Sequence, residues 1–255
     1  MVMDDEMETK LIPTLNNMGW MAASIGDPYT REFIEYSATA ARPVMEIGAA
    51  YGVAAASVLR SGGRIIVNDL DPHHLHVLYE QTPQALREQL HLMPGSCVDG
   101  IEVAEGSVSA ILCARVFHFF DSSMISTCLK RFHRWLAPRG KIFIVADSVF
   151  HGMNQEIYPD FLVRKAAGHP TPGWVSLKNN QRLEMQKNRE EIQRAMPEYF
   201  NFLDLETLAP LFKDAGFLVE SAGYFNPEYY YDVSLWDGRE GVGMVGLKAH
   251  PIGFG

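Results

Sequence analysis

Val44-Met45-Glu46-Ile47-Gly48-Ala49-Ala50-Tyr51-Gly52 decides how the rest of the chain is read. Val44, Met45 and Ile47 suit a short strand covered on both faces, as in a parallel sheet. Gly48 can take backbone angles closed to other residues, and Gly52 lets the chain pass close to a ligand or a strand. Val53 to Leu59 is compact and helix-compatible, closing at Gly62-Gly63. A strand, a glycine turn and a helix in that order hold nucleotide-like cofactors in open α/β sheets.

Outward from this unit the alternation continues. Arg64–Asp69 reads as a second strand ending in an acid, and Pro72 opens a helix interrupted near Pro83. His91-Leu92-Met93 is a weaker third strand and Ser109–Ala114 a clear fourth. Asp121 caps a helix whose apolar positions Met124, Ile125, Cys128, Leu129, Phe132, Trp135 and Leu136 follow helical spacing. Pro138-Arg139-Gly140 ends that helix, and Lys141–Ala146 is the fifth strand. Strands alternating with helices predict a Rossmann-like, doubly wound, mostly parallel sheet.

Residues 147–200 are too long for an ordinary connection and read as a lid-like insertion, with a charged helix from Gln181 to Met196. A helix capped by Asp204 and closed by Gly216 follows, then strands at Phe217–Glu220 and Val242–Leu247. Residues 1–43 look mostly helical, with Asp27 capping and Pro28 at the first position. Two readings of that segment stand level: a helix packed on the sheet edge, or a lid over the cofactor. The expected organisation is one domain over 1–255: a helical cap (1–43), a cofactor-binding core (44–146), an insertion (147–200) and a C-terminal helix and hairpin (201–255).

The chain has 255 residues, 47% hydrophobic and 21% charged, with a net charge of -9. That charge argues against a phosphate-backbone partner, so no nucleic acid is expected. Cys97, Cys113 and Cys128 are an odd set without metal spacing and suit a reducing cytoplasm. The acidic start, Met1-Val2-Met3-Asp4-Asp5-Glu6, lacks signal-peptide features, and no apolar run approaches the roughly 20 residues of a membrane span. His73, His74 and His76 cluster without carboxylate or cysteine partners, so no metal site is expected. Oligomeric state is not legible.

The turn itself narrows the cofactor. A dinucleotide turn wants Gly-x-Gly-x-x-Gly, and here Ala50 and Val53 occupy the second and third glycine positions. A carboxylate at Glu46 would repel a pyrophosphate, whereas an ammonium and a sulfonium would favour it. Asp69 lies about 20 residues beyond the turn, where an acid accepts ribose hydroxyls.

On these residues the chain resembles the class I S-adenosylmethionine-dependent methyltransferases from about residue 44 onward. Glu46–Gly52 is similar to their first motif with Ala50 for the middle glycine, and Asn68-Asp69-Leu70-Asp71-Pro72 to their ribose motif. Ala110–His118, Leu136–Lys141 and Asp214–Phe217 resemble the fourth-strand motif, the turn before strand five and the entry to a final antiparallel hairpin. The resemblance implies a seven-stranded sheet and S-adenosyl-L-methionine as cofactor, leaving S-adenosyl-L-homocysteine. Glu46, Gly48, Ala49, Ala50, Gly52, Asp69, Leu70, Ala114 and Arg115 are then cofactor residues. Ser96 and Cys97 stand where the family often has an acid near the adenine, and would touch it through side chain or backbone.

In-line methyl transfer needs alignment and exclusion of water, and a base only when the acceptor must lose a proton. His118 follows the fourth strand and is either that base or a buried structural histidine. Arg115 would bind an anion or cap a loop. His169, Trp174 and Tyr229-Tyr230-Tyr231 are candidates for an aromatic acceptor pocket. The leading expectation is methylation of a small molecule; a protein methyltransferase, a non-catalytic cofactor binder and a nicotinamide-dependent oxidoreductase are the alternatives.

Overall fold

The computed structural model describes residues 11–176, 197–228 and 235–249. A short hairpin of β1 (Leu11–Pro13) and β2 (Trp20–Ala22) leads into α1 (Pro28–Ser37). Then come β3 (Val44–Ile47), α2 (Val53–Arg60), β4 (Ile65–Asp69), α3 (Pro72–Gln81), β5 (Leu90–Pro94) and β6 (Val108–Ala114). After α4 (Ser122–Trp135) and β7 (Leu136–Asp147), the inserted region contributes α5 (Tyr158–Ala166), β8 (Trp174–Ser176) and β9 (Tyr199–Asn201). The chain closes with α6 (Leu205–Asp214), β10 (Phe217–Phe225) and β11 (Gly241–Lys248).

Seven strands form one sheet in the order β10-β11-β7-β6-β3-β4-β5. β11 runs antiparallel between β10 and β7, whereas the pairs among β3, β4, β5, β6 and β7 are parallel. Strand order reverses between β3 and β6, which opens a crevice at their carboxyl ends where such sheets bind ligands.

The central strands are buried on both faces, which is why they read as continuous apolar runs. On one face Ile125, Cys128, Leu129, Phe132 and Trp135 of α4 pack with Ile111, Ile142, Ile144 and Phe212. Phe132→Ala there would cost about 3–5 kcal/mol. On the other face Phe33 of α1 meets Phe143 edge-on at 5.6 Å, beside Ala55, Val58 and Leu78.

Aspartates set four of these helix starts: Asp27 accepts from Thr30 N–H, Asp71 from His73 N–H, Asp121 from Met124 N–H, and Asp204 makes a reciprocal capping box with Thr207.

Two features differ from the sequence reading. Among the described residues of the N-terminal segment, helix is confined to Pro28–Ser37, and residues 11–22 form a hairpin instead. Pro138-Arg139-Gly140 does not lie outside the fifth strand. Arg139 at φ 64° makes an irregularity within β7, between the pairings Val108–Leu136 and Ala110–Lys141. The inserted region also folds back on the sheet end: Asn201 Nδ2 donates to Phe120 O at 2.8 Å, and Ser122 N–H to Thr171 Oγ1 at 3.1 Å. The expected helix Gln181–Met196 and Tyr229–Tyr231 lie outside the described residues. Among the described residues, no helix is long and apolar enough to cross a membrane.

Candidate cofactor and acceptor site

The turn after β3 holds Gly48, Ala50 and Gly52 at φ 65°, 46° and 73°. A Cβ on Gly48 would sit 2.3 Å from Val116 Cγ2, and one on Gly52 2.7 Å from Leu78. Both glycines are therefore required twice, by backbone angle and by a neighbour. Ala50 keeps the left-handed conformation without being glycine, at a cost of about 1–2 kcal/mol. Its N–H donates to Asp69 Oδ2 at 2.8 Å, a charge-assisted bond of the size needed to offset that cost. Ala49 is buried beside it, its N–H on Asn68 O.

Glu46 is buried inside β3, and Oε2 accepts from Ala55 N–H at 2.9 Å. Because Gly52 has no capping side chain, this carboxyl caps α2 from within the sheet. Burial, with the Ala55 bond opposing and the Asp69 charge adding, raises its pKa to about 8. Near neutral pH it holds its proton for most of the time, so its repulsion of a pyrophosphate is weaker than the sequence implies. Val53 at the third glycine position remains the objection to a dinucleotide.

Asp69 ends β4 and is buried. Besides Ala50 on Oδ2, its Oδ1 accepts from Asp71 N–H at 2.8 Å and lies 3.0 Å from His74 Nδ1. Those three bonds use three of roughly four lone-pair positions of a carboxylate and leave one on Oδ2. A ribose hydroxyl fits there.

Leu70 follows at the rim, 56% exposed, an apolar surface suited to a flat base. Asn68 Nδ2 donates to Met93 O and Gly95 O, both at 2.8 Å, and so fixes the loop carrying Ser96 and Cys97. The Cys97 thiol turns into the core, 3.8 Å from Cys128 Sγ, and Ser96 Oγ accepts from Val98 N–H. The Cys97 side chain is thus engaged within the protein, while the Ser96 hydroxyl keeps its own O–H to donate.

On the far side of the crevice, Ala114 ends β6 and Arg115 takes φ 61°. Its Nη2 lies 3.5 Å from Asp147 Oδ1 at the end of β7, and His118 Nδ1 lies 3.6 Å from Asp147 Oδ2. His118 is 3% exposed, stacked on Phe200 at 4.1 Å and edge-on to Phe119 at 4.3 Å. Burial, only partly opposed by Asp147, lowers its pKa to about 3, and that of nearby His151 to about 4. Both imidazoles are neutral near pH 7, and His118 is a weak base.

His169 is exposed and Trp174 stacks on Tyr199, so neither joins His118. The aromatic wall is built instead by Phe119, Phe150, Phe200 and Phe202. Asp147 and this wall were not singled out from sequence. An acid directly after the Lys141–Ala146 strand, like Asp69 after its own, was the available signal for Asp147.

Gly48 and Gly52 at left-handed angles, the remaining lone pair on Asp69 and the exposed Leu70 fit S-adenosylmethionine. Residues 45–142 match a family model described as a methyltransferase domain. With the strand order, this gives the chain the class I S-adenosylmethionine-dependent methyltransferase fold, whose cofactor is S-adenosylmethionine, and the resemblance seen in the motifs is sustained.

Over 115 residues the chain is 30% identical to ribosomal RNA large subunit methyltransferase G of Aeromonas hydrophila, a match taking in 42% of this chain. The chain spans only 30% of that relative's length. Among solved structures, an S-adenosylmethionine-dependent methyltransferase of Methanosarcina mazei aligns with TM-score 0.60 at 11% identity, covering 81% of this chain and 92% of that one. One from Mesorhizobium loti gives 0.60 at 12%, covering 86% and 96%. The glycopeptide N-methyltransferase MtfA, complexed with S-adenosyl-L-homocysteine, gives 0.56 at 14%, covering 89% and 88%. At these identities the likeness is one of fold.

The ribosomal RNA enzyme overturns one expectation. The net charge of -9 argues against a nucleic-acid partner, but charge summed over a chain does not fix the charge of one local surface, and the expectation of no nucleic acid does not hold against this relative.

Proposed function

We propose that the protein transfers the methyl group of S-adenosylmethionine to a small-molecule acceptor. The observation that carries this reading is the bond from Ala50 N–H to Asp69, which joins the glycine turn to the ribose acid in one rigid unit. When bound, the cofactor supplies an electrophilic methyl on a positively charged sulfur.

Gly48, Ala49, Ala50 and Gly52 would lie along its methionine part, with Glu46 beneath. Asp69 would take a ribose hydroxyl, and Leu70 with the backbone of Ser96 and Cys97 would flank the adenine. Arg115, Asp147 and His118 would face the acceptor under the Phe119–Phe200 wall, where β8 and β9 help exclude water. His118 is too weak a base to drive proton removal, which favours an acceptor that arrives with a lone pair available. The same proposal treats 1–255 as one domain. Three cysteines, an odd set without metal spacing, support a reducing, cytoplasmic setting.

A second reading, an RNA acceptor, is supported by the 30% identity to the ribosomal RNA enzyme. Calorimetry with S-adenosylmethionine, S-adenosylhomocysteine and NAD tests the donor, and tight NAD binding without response to the other two would sink the proposal. Labelled methyl transfer to a metabolite panel and to ribosomal RNA then separates the acceptors. Cofactor binding with no transfer to either would favour a non-catalytic binder.

A further inference from the structure

His74 lies in the first turn of α3 and is 1% exposed. Its two ring nitrogens have different partners. Leu15 N–H donates to Nε2 at 3.1 Å, and Nδ1 lies 3.0 Å from Asp69 Oδ1. A nitrogen that accepts an N–H carries no proton, so the ring hydrogen sits on Nδ1 and is donated to Asp69.

The histidine thus links three separate pieces of chain. Leu15 belongs to the connection between β1 and β2, Asp69 ends β4, and Asp69 in turn holds Ala50 in the glycine turn. Two further contacts dock the hairpin on the same turn. Tyr51 Oη donates to Pro13 O at 3.0 Å, and the Tyr51 ring meets His74 edge-on at 5.3 Å. At its other end, the hairpin's Gly19 is close to Phe119: a Cβ there would lie 3.5 Å from Phe119 Cζ. The hairpin therefore spans from the ribose side of the crevice to the acceptor wall, pegged at His74.

We propose that His74 is a positioning residue for the cofactor: its neutral ring, protonated on Nδ1, aims the Asp69 carboxylate and pegs the β1–β2 hairpin across the glycine turn. The proposal rests on the cofactor reading above. By occupying Oδ1, His74 and the Asp71 amide leave only Oδ2 to a ribose hydroxyl, so the orientation of that oxygen depends on the histidine.

Two substitutions separate the bonds. His74→Asn keeps a donor near the place of Nδ1 and loses the acceptor for Leu15, whereas His74→Gln keeps an acceptor near Nε2 and loses the donor to Asp69. Calorimetry with S-adenosylhomocysteine should show His74→Asn within about threefold of the parent, and His74→Gln weaker by about tenfold, the loss of one charge-assisted bond. Amide exchange across Leu11–Ala22 should quicken in His74→Asn and stay near the parent rate in His74→Gln.

Nitrogen NMR on the unsubstituted protein gives an independent readout and should show a protonated Nδ1 with an unprotonated Nε2. A ring protonated on Nε2, or folded variants that both bind like the parent, would overturn the proposal. If the parent itself binds no S-adenosylhomocysteine, the cofactor reading fails first, and that result is distinct from two variants matching a parent that binds.

Discussion

The N–H of Ala50 reaches Asp69 Oδ2 across 2.8 Å while Ala50 sits at φ 46°, so a strained alanine and a buried carboxylate hold each other in place. Ala50→Gly keeps the amide and removes the strain. It should raise stability by about 1 kcal/mol, or about 2–4 °C in melting temperature for a chain of this size. Ala50→Val should lower it. Removing the other partner, Asp69→Ala, should weaken S-adenosylhomocysteine binding by more than about 1 kcal/mol in a protein that still folds.

Gly48→Ala meets two penalties, a left-handed backbone and Val116 Cγ2 at 2.3 Å. A loss of about 2–3 kcal/mol is expected in denaturant unfolding. The double variant with Val116→Ala should recover the steric part only, leaving about 1 kcal/mol. Full additivity of the two single losses would rule out the contact as the cause.

Glu46 has its pKa raised by burial to about 8 in the folded protein, against an ordinary value of about 4.5. Between those values the folded state holds a proton that the unfolded state has released, so this group's stabilisation declines as pH rises from about 4.5 to 8. Glu46→Gln should remove that slope, on the order of a few kcal/mol across the window. Urea titrations of both proteins at the two ends of the range measure the difference.

His118 and His151 act in the opposite sense. Their pKa values are lowered from 6.5 to about 3 and about 4, so unfolding takes up protons and stability is lost as pH falls below about 6.5. His118→Phe preserves a ring against Phe200 and should shift the acid unfolding midpoint to lower pH. In an activity profile, His118 should contribute no inflection near 6.5; one that appears with the parent and vanishes in this variant would show that it titrates in the working enzyme.

Asp147 faces both Arg115 and His118 from the end of β7. Asp147→Ala takes one carboxylate from a largely buried guanidinium, which keeps the more distant attraction of Asp27, and should cost up to about 3 kcal/mol in denaturant unfolding. Asp147→Asn, which keeps an acceptor oxygen, should cost less.

What was legible in the sequence was local. The glycine turn, the acid ending β4 and the aspartate caps of α1, α4 and α6 each depend on residues within one turn or strand. The doubly wound, mostly parallel sheet followed from the alternation of elements, and its seven strands with a final antiparallel hairpin from the family resemblance. Residues 11–22 escaped because three-residue strands leave too little alternation to detect. His74 looked like part of an unpartnered histidine cluster because its partners, Leu15 and Asp69, are 59 residues before it and 5 before it. Glu46 was read as a charge because burial, which keeps it protonated, is a property of the finished sheet. The Asp147–Arg115–His118 grouping joins the ends of two strands and was invisible for the same reason.

β11 carries Gly241, Gly243 and Gly246 in its interior, and at Gly243 a Cβ would lie 2.1 Å from the Tyr29 ring. Tyr29 from α1 fills the space left by a strand more than 200 residues away. During synthesis on a ribosome, that seat does not exist until Gly243 has emerged, more than 200 residues after Tyr29. The last strand must also insert between β10 and β7. Such distant pairings slow folding and prolong exposure of apolar surface. The Tyr29 end of α1 thus gains its seat only once β11 is in place, whereas Phe33 further along the helix can already pack on Phe143 of β7.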